Sequence, residues 1–427
     1  MRLNKFQISL RGFYGVYNFG DDLIVYSVLK FYESRLNFNA QKVDFYLSSK
    51  RDSLNKLKFD TRFEFKSDMG ISDVYLPVTS KLKSWGVPKF MRIIAGAFAL
   101  LLFVVSILIY KLTKARIFFP SYIDHYRKLD LIHFIGGGYF MDRWSNWLYE
   151  QYLTVCCAKL INPQIRIIGT GIGVGPIKKA LNRRVLKKLL AKFSFVAVRE
   201  EETKKNLDIL GINCLCLGDD VLLLYNLLID LRMKSKKEGK QLFAVAINIK
   251  DYPDFNYDKY GIEILTFLAR IRSKLPVNVE FYCFGISPGP DDLTLISDLV
   301  KKYRISDCEI LVPYEIGIDC FLSHISRCDF GVGSAYHFTT LMLLCSIPVV
   351  SVVSGEYYCQ KVKGISDLFS AKSVYEIGQV KSDLLVSEFE RSRLPRDLGN
   401  SNKIMSLYEQ MNDRYYEEIS KVLIGRN

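Results

Sequence analysis

The chain has 427 residues, enough for two α/β domains, because single cores rarely grow past ~250–300 residues. Apolar residues make up 49% of it, so a sizeable core can be buried, and the net charge is +14. That charge does not point to nucleic acid: no dense aromatic–basic module is present, the basic residues are scattered, and several flank one apolar segment, as suits anionic lipid or a phosphate-bearing substrate.

The N-terminal MRLNKFQISL has no continuous apolar run, so no secretory signal is expected. The ten cysteines show no paired CxxC spacing and read as buried free thiols in a reducing compartment, with no metal site implied. KFQISL (5–10) reads as a strand, followed by the glycine turn GVYNFGDDL (15–23) and a helix from Asp21 to about Ser34. Gly15 and Gly20 bracket Asn18, and Asp21 reads as an N-cap whose carboxylate opposes phosphate docking at that helix end.

Residues 93–110 form an uncharged apolar stretch long enough to cross a bilayer. Lys81, Lys83, Lys89 and Arg92 precede it, and Lys111, Lys114 and Arg116 follow it, so the flanking charge assigns no orientation. A single span would separate the strand at 5–10 from its expected neighbour at 131–136. A monotopic or re-entrant helix lying on the membrane is therefore expected, with a buried internal helix or a true span as the alternatives.

LIHFIG (131–136), IRIIGTG (165–171), FVAVR (195–199) and CLCLG (214–218) are strand-length apolar runs separated by amphipathic stretches. This alternation predicts parallel βαβ units. FIGGGYFMDRW (134–144) offers the backbone N–H groups of Gly137 and Gly138 to an anion or a sugar, and GTGIGVGPI (169–177), with Gly173, reads as a second glycine-rich turn. Arg199 at a strand end suits a carboxylate or phosphate, or an ion pair with the glutamates beside it. Asp219 and Asp220 end the next strand and suit sugar hydroxyls, base catalysis or helix capping.

A polar break at 234–241 reads as a linker, dividing a first lobe at 1–233 from a second at 242–400. The strand pattern then resumes in LFAVAINI (242–249), VEFYCFG (279–285), CEILVPY (308–314), DFGVG (329–333) and PVVSVV (348–353). Residues 401–427 read as a C-terminal helix. The expected fold is α/β, two doubly wound Rossmann-like lobes facing a cleft, with ligands beyond the strand C-termini. Of the four histidines, His337 stands out: it opens a helix after a strand and the turn Ser334–Ala335–Tyr336 and suits anion binding or proton transfer. His133 reads as core.

Taken in order, G-x-x-N-x-G-D, GGG, G-x-G-x-G-P, V-R-E, G-D-D, Y-H with IPVV, and YYCQKVKG (357–364) resemble the polysaccharide pyruvyl transferase family from about residue 12 to 370. The resemblance implies a fold like that of two-lobed GT-B glycosyltransferases. It also implies transfer of a pyruvyl group from phosphoenolpyruvate to a sugar of a cell-surface polysaccharide or its lipid-linked precursor, with a ketal formed and phosphate released. No cofactor is implied beyond phosphoenolpyruvate as co-substrate.

His337, Asp219 and Asp21 are the expected catalytic residues. Arg199, Lys361, Tyr336 and Ser334 are expected to meet the donor. Asn18, Gly20, Gly137, Gly138, Gly173 and Asp220 are expected to line the cleft or bind the acceptor. Many family members carry arginine two residues before the histidine; here that position is Ala335. The expected location is the cytoplasmic face of the plasma membrane. A nucleotide-sugar glycosyltransferase of the same architecture and a non-catalytic polysaccharide-assembly protein are the alternatives.

Overall fold

The computed structural model describes residues 5–35, 43–47, 52–57, 63, 65–235, 241–247, 257–286, 291–371, 373–393 and 399–424. The first lobe is an eight-stranded parallel sheet built from β1 (Phe6–Arg11), β2 (Val43–Leu47), β3 (Phe65–Ser67), β4 (Leu131–Phe134), β5 (Gly137–Phe140), β6 (Arg166–Val174), β7 (Phe195–Val198) and β8 (Leu215–Cys216). The strand order is β3-β2-β1-β4-β6-β7-β8, and β5 pairs with the far end of β6. The second lobe is a six-stranded parallel sheet of β9 (Gln241–Ala246), β10 (Val277–Tyr282), β11 (Cys308–Leu311), β12 (Phe330–Gly333), β13 (Val349–Val353) and β14 (Val374–Glu376), in the order β11-β10-β9-β12-β13-β14. Both orders reverse beside the first strand of the lobe, which is the switch point where such sheets bind ligands. The central strands are short apolar runs buried on both faces, as parallel pairing under helices demands.

The apolar stretch lies within a helix, Lys89–Thr113, which packs against the shorter helix Ser72–Ser84. Gly96 permits the approach, since a side chain there would meet Thr79. Phe103, Ser106, Ile107 and Tyr110 face the protein, with Phe103 edge-on to Tyr122 and Phe119. Only 33% of its apolar window is buried. Ile94, Phe98, Leu101, Val105, Leu108 and Leu112 run along the open side. Among the described residues of this chain, the helix is therefore covered on one face only.

Two expectations on local structure change, and the C-terminal helix forms as expected. The first helix is Phe19–Arg35, so Asp21 sits inside its first turn and is no N-cap. GTGIGVG is no turn but the second half of β6, where Gly171 at φ 56° shifts the register between Gly169 and Ile172. The terminal helix Gly399–Ile424 returns to the first lobe, where Tyr415 packs on Phe31 and Phe195. Residues 236–240 of the expected linker lie outside the described residues.

The lobes are joined along the first helix. Phe19 N donates to Phe284 O at 2.8 Å, and Ile286 N donates to Tyr17 O at 3.0 Å, so the first glycine turn bridges to the end of β10. The Tyr314 hydroxyl donates to Asp22 at 3.0 Å, and Tyr26 to Asp319 at 2.5 Å. Phe19, Phe284 and Phe321 interlock edge to face in one core that runs through both lobes.

Candidate active site

The helix Tyr336–Leu344 begins directly after β12, with Ala335 in extended conformation as its N-cap, so Tyr336 and His337 are delivered at the switch point. From the first lobe, Arg199 follows β7, and Asp219 precedes the short 3₁₀ turn Asp220–Leu224. These groups meet between the lobes. Asp219 Oδ2 lies 3.9 Å from Arg199 Nη1 and 3.9 Å from His337 Nε2. Neither Asp219 Oδ2 nor His337 Nε2 has a hydrogen-bond partner, although both are buried. A buried polar atom left in this state marks a place for a ligand or a water. The other carboxylate oxygen of Asp219 accepts from Val221 N at 3.1 Å, so capping and facing the site are combined in one residue.

The positive charge is concentrated on Tyr336. Lys361 Nζ lies 4.3 Å from its ring centre and the Arg199 guanidinium 5.1 Å. Arg199 Nε is paired with Glu200 at 2.6 Å, as the ion-pair reading expected, while its Nη1 end still faces Asp219. Two glycines are required by close approach. A side chain at Gly20 would stand 1.9 Å from His337 Nδ1, and one at Gly173 would stand 2.6 Å from Arg199 Nη2. The first glycine turn therefore serves to seat the histidine of the other lobe.

Burial pushes the His337 pKa well below the ordinary imidazole value, helped by Lys361 and Arg199, so the ring is neutral at pH 7. Burial raises the Asp219 carboxyl above its usual range, against the pull of Arg199 and of the Val221 N–H. A cavity of about 630 Å³ is lined by Gly173, Arg199, Glu200, Glu356, Gln360 and Lys361 among others. His337 and Asp219 are not among its walls; they lie past Arg199.

The other expected residues are placed as follows. Asn18 donates to Asp21 at 2.7 Å beside Gly20. Ser334 N donates to Ala246 O at 2.9 Å and is buried at the end of β12. Gly137 and Gly138 belong to β5. Asp220 does not face the cleft: its fully buried carboxyl accepts from Gly136 N at 2.7 Å, Thr170 Oγ1 at 2.9 Å and Tyr415 Oη at 2.8 Å. The glycine triplet thus lends an N–H to Asp220 rather than to an anion. Burial raises the pKa of Asp220 to about 7. His133 is core, contacting Tyr32 and Thr170. Sequence reasoning missed the pairing of Gly20 with His337, because a contact between residues 20 and 337 leaves no local signal.

Among the described residues, one cluster has the reach to hold a cation: Glu280, Glu309 and His324. Arg327 Nη2 already sits 2.7 Å from both Glu280 Oε1 and His324 Nδ1, which accounts for that cluster as an ion-pair network.

The family model for polysaccharide pyruvyl transferases matches residues 18–356. The chain belongs to that family. The match runs from Asn18 to Glu356 and so includes Arg199, Asp219, Tyr336 and His337, with Lys361 just beyond it, and the chain is a transferase by family. No curated protein matched it by sequence. Among solved structures, the UDP-GlcNAc 2-epimerase of Neisseria meningitidis, bound to UDP-GlcNAc, is similar at TM-score 0.54 and 11% identity, over 98% of this chain and 99% of that one. The UDP-N-acetylglucosamine 2-epimerase of Rickettsia bellii is similar at TM-score 0.54 and 11% identity, over 99% and 96%. That of Methanocaldococcus jannaschii follows at TM-score 0.52 and 11% identity, over 92% and 93%. At such identity the likeness establishes the two-lobed GT-B-type fold and nothing of the chemistry.

Proposed function

We propose that this pyruvyl transferase moves the pyruvyl group of phosphoenolpyruvate onto two hydroxyls of a sugar in a lipid-linked glycan precursor, at the cytoplasmic membrane face, without a resident cofactor. The observation that carries the reading is the meeting of Arg199 and Lys361 on Tyr336 beside two buried atoms without hydrogen-bond partners, Asp219 Oδ2 and His337 Nε2. Two cations suit a donor that carries a carboxylate and a phosphate, and they supply the charge that the missing arginine at 335 would otherwise bring.

In this mechanism the Asp219 carboxyl, raised by burial, protonates the methylene carbon of the donor. The resulting oxocarbenium-like centre takes a sugar hydroxyl, whose proton passes to neutral His337. The second hydroxyl displaces phosphate and closes the ketal, and its proton leaves with the phosphate. The proton on His337 Nε2, 3.9 Å from Asp219 Oδ2, returns to that carboxylate through one bridging water before the next cycle. His337 is therefore assigned as base, in place of the acid or phosphate partner suggested by helix position alone.

The open apolar side of the helix Lys89–Thr113 supports the membrane location. Lys81, Lys83, Lys89 and Arg92 stand near one end, and Lys111 and Lys114 at the other. Arg116 is engaged by Asp124 at 2.7 Å and adds less. Six cations near anionic lipid, at ~1 kcal/mol each, together with the apolar face, give firm but reversible binding.

The test is phosphate release from phosphoenolpyruvate over a panel of glycan acceptors. Release should depend on acceptor, and Arg199→Lys should raise the donor KM about tenfold through loss of the bidentate fork. Turnover of a nucleotide-sugar in place of phosphoenolpyruvate would make the chain a glycosyltransferase. Turnover of neither would make it a binding protein.

A further inference from the structure

A second cavity, of about 300 Å³, opens in the first lobe at the root of the helix Ser72–Ser84. That helix leads directly into the apolar helix Lys89–Thr113 and packs against it. The cavity shares no residue with the Arg199 cavity. Its walls combine two kinds of surface. Phe13 and Trp147, with ring centres 5.3 Å apart, form an aromatic side. Asp73, Glu150, Gln151 and Arg11 form a polar side.

The polar side is held in place and only partly satisfied. Gly70 N donates to Asp73 Oδ2 at 2.6 Å, and Ser72 Oγ donates to Glu150 Oε1 at 2.7 Å. No partner among the described residues reaches the other oxygen of either carboxylate. Arg11 is 7% exposed and is gripped by Asp68 at 2.7 Å and by Gln151 at 3.1 Å. Its Nε, also buried, has no partner.

This chemistry selects a ligand class. Asp68 cancels the charge of Arg11, so Asp73 and Glu150 leave the cavity acidic and unsuited to phosphate or carboxylate. Oriented carboxylate oxygens need hydroxyl donors, and Arg11 Nε needs an acceptor. An aromatic wall with a few fixed polar groups suits the apolar face of a sugar ring. The volume is at the small end for ligand sites, of order 300 Å³.

We propose that this cavity holds a sugar of the acceptor glycan other than the one that receives the pyruvyl group. The identity of that glycan as the acceptor rests on the function proposed above. The connection to the reacting site is covalent: Tyr14 lines the cavity, and six residues on, Gly20 abuts His337. Six residues span at most about 20 Å, which bounds the distance between the Tyr14 and Gly20 backbones.

The chain's three tryptophans make the test direct. In full-length protein carrying Trp85→Phe and Trp144→Phe, emission reports Trp147 alone. Free mono- to tetrasaccharides are titrated without donor, and the same protein is applied to a printed array of such glycans. At least one saccharide should shift Trp147 emission, and Glu150→Gln and the exposed Asp73→Asn should each weaken it tenfold or more with the melting temperature kept. His337→Gln should leave binding within twofold. No saccharide bound, or binding indifferent to both carboxylate variants, overturns the proposal. Because donor is absent, glycan binding without turnover of phosphoenolpyruvate would sink the transferase reading alone, and turnover without this binding would sink the subsite alone.

Discussion

Two buried atoms without partners, Asp219 Oδ2 and His337 Nε2, define the chemistry at the scale of single residues. His337→Gln keeps a polar group of similar reach but removes the base, so turnover should fall about 100-fold or more while the melting temperature barely moves. The pH profile gives a sharper check. Because burial and the two cations hold the ring neutral, no limb near the ordinary imidazole value should appear in kcat/KM. A limb near pH 6.5 that vanishes in His337→Gln would show that the ring titrates normally and that the assignment as neutral base is wrong. Gly20→Ala is the second residue-scale prediction. A methyl group there overlaps His337 Nδ1 at 1.9 Å, and a backbone helix position gives it no room to withdraw. Displacing the base by an ångström should cost about 100-fold in turnover with donor KM nearly unchanged. Equal loss in a Gly20→Ala, His337→Gln double variant and in either single variant would tie both effects to one ring.

Elements carry the next level of argument, and the paired helices at 72–113 are the clearest case. The exposed stripe Ile94, Phe98, Leu101, Val105, Leu108 and Leu112 recurs at spacings of four and three, the period of one helix face. The opposite face, with Phe103 fully buried, holds the helix to the protein. Composition alone did not separate these faces, because both are apolar; only the packing of Phe103 on Tyr122 and Phe119 does. Replacing Phe98, Leu101, Val105 and Leu108 with serine should therefore release folded protein from membranes, read by sedimentation with vesicles rich in anionic lipid. Phe103→Ser should instead lower stability by roughly 3 kcal/mol or more, as for a truncated core aromatic. Loss of folding in the four-serine variant would mean that this face is covered by protein and not by lipid.

At the scale of the whole molecule, much of the architecture was legible in the sequence because parallel strands buried on both faces stand out as short apolar runs between amphipathic helices. LIHF, FVAV and VVSVV fall where the periodicity placed them. What was not legible is what depends on distant partners. GTGIGVG carries the glycines of a turn, yet pairing with β4, β5 and β7 draws it into a strand. Asp219 and Asp220 are adjacent and identical in type, yet one faces the site and the other is enclosed by Gly136, Thr170 and Tyr415. No local pattern distinguishes them, because the C-terminal helix that encloses Asp220 arrives nearly two hundred residues later.

That enclosure gives the molecule a pH-dependent stability of predictable sign. The Asp220 pKa rises from 3.8 to about 7 on folding, chiefly through burial. The folded state therefore binds this proton more tightly than the unfolded chain, and stability must rise as pH falls through 7. Below about pH 7.5 the buried histidines increasingly oppose the trend. Burial lowers His133 to about 3 and His337 well below 6.5, so the unfolded chain gains protons there that the folded one refuses. Asp22, raised by burial to about 6, adds a second favourable proton that offsets one of these. Burial also raises several cysteine thiols, which adds a slope of the same sign near pH 8.5, so Asp220 is read from the difference between the unaltered protein and Asp220→Asn, which should grow by about 1 kcal/mol from pH 8.5 to 6.5. Urea midpoints of both proteins across that range should show this difference widening as pH falls, because the histidine and cysteine contributions are common to the two. Tyr415→Phe removes one hydrogen-bond donor to the carboxylate, so it should cost about 1 kcal/mol and move the rise to higher pH. A difference between the two proteins that stays constant from pH 8.5 to 6.5 would show that this carboxyl keeps its charge on folding.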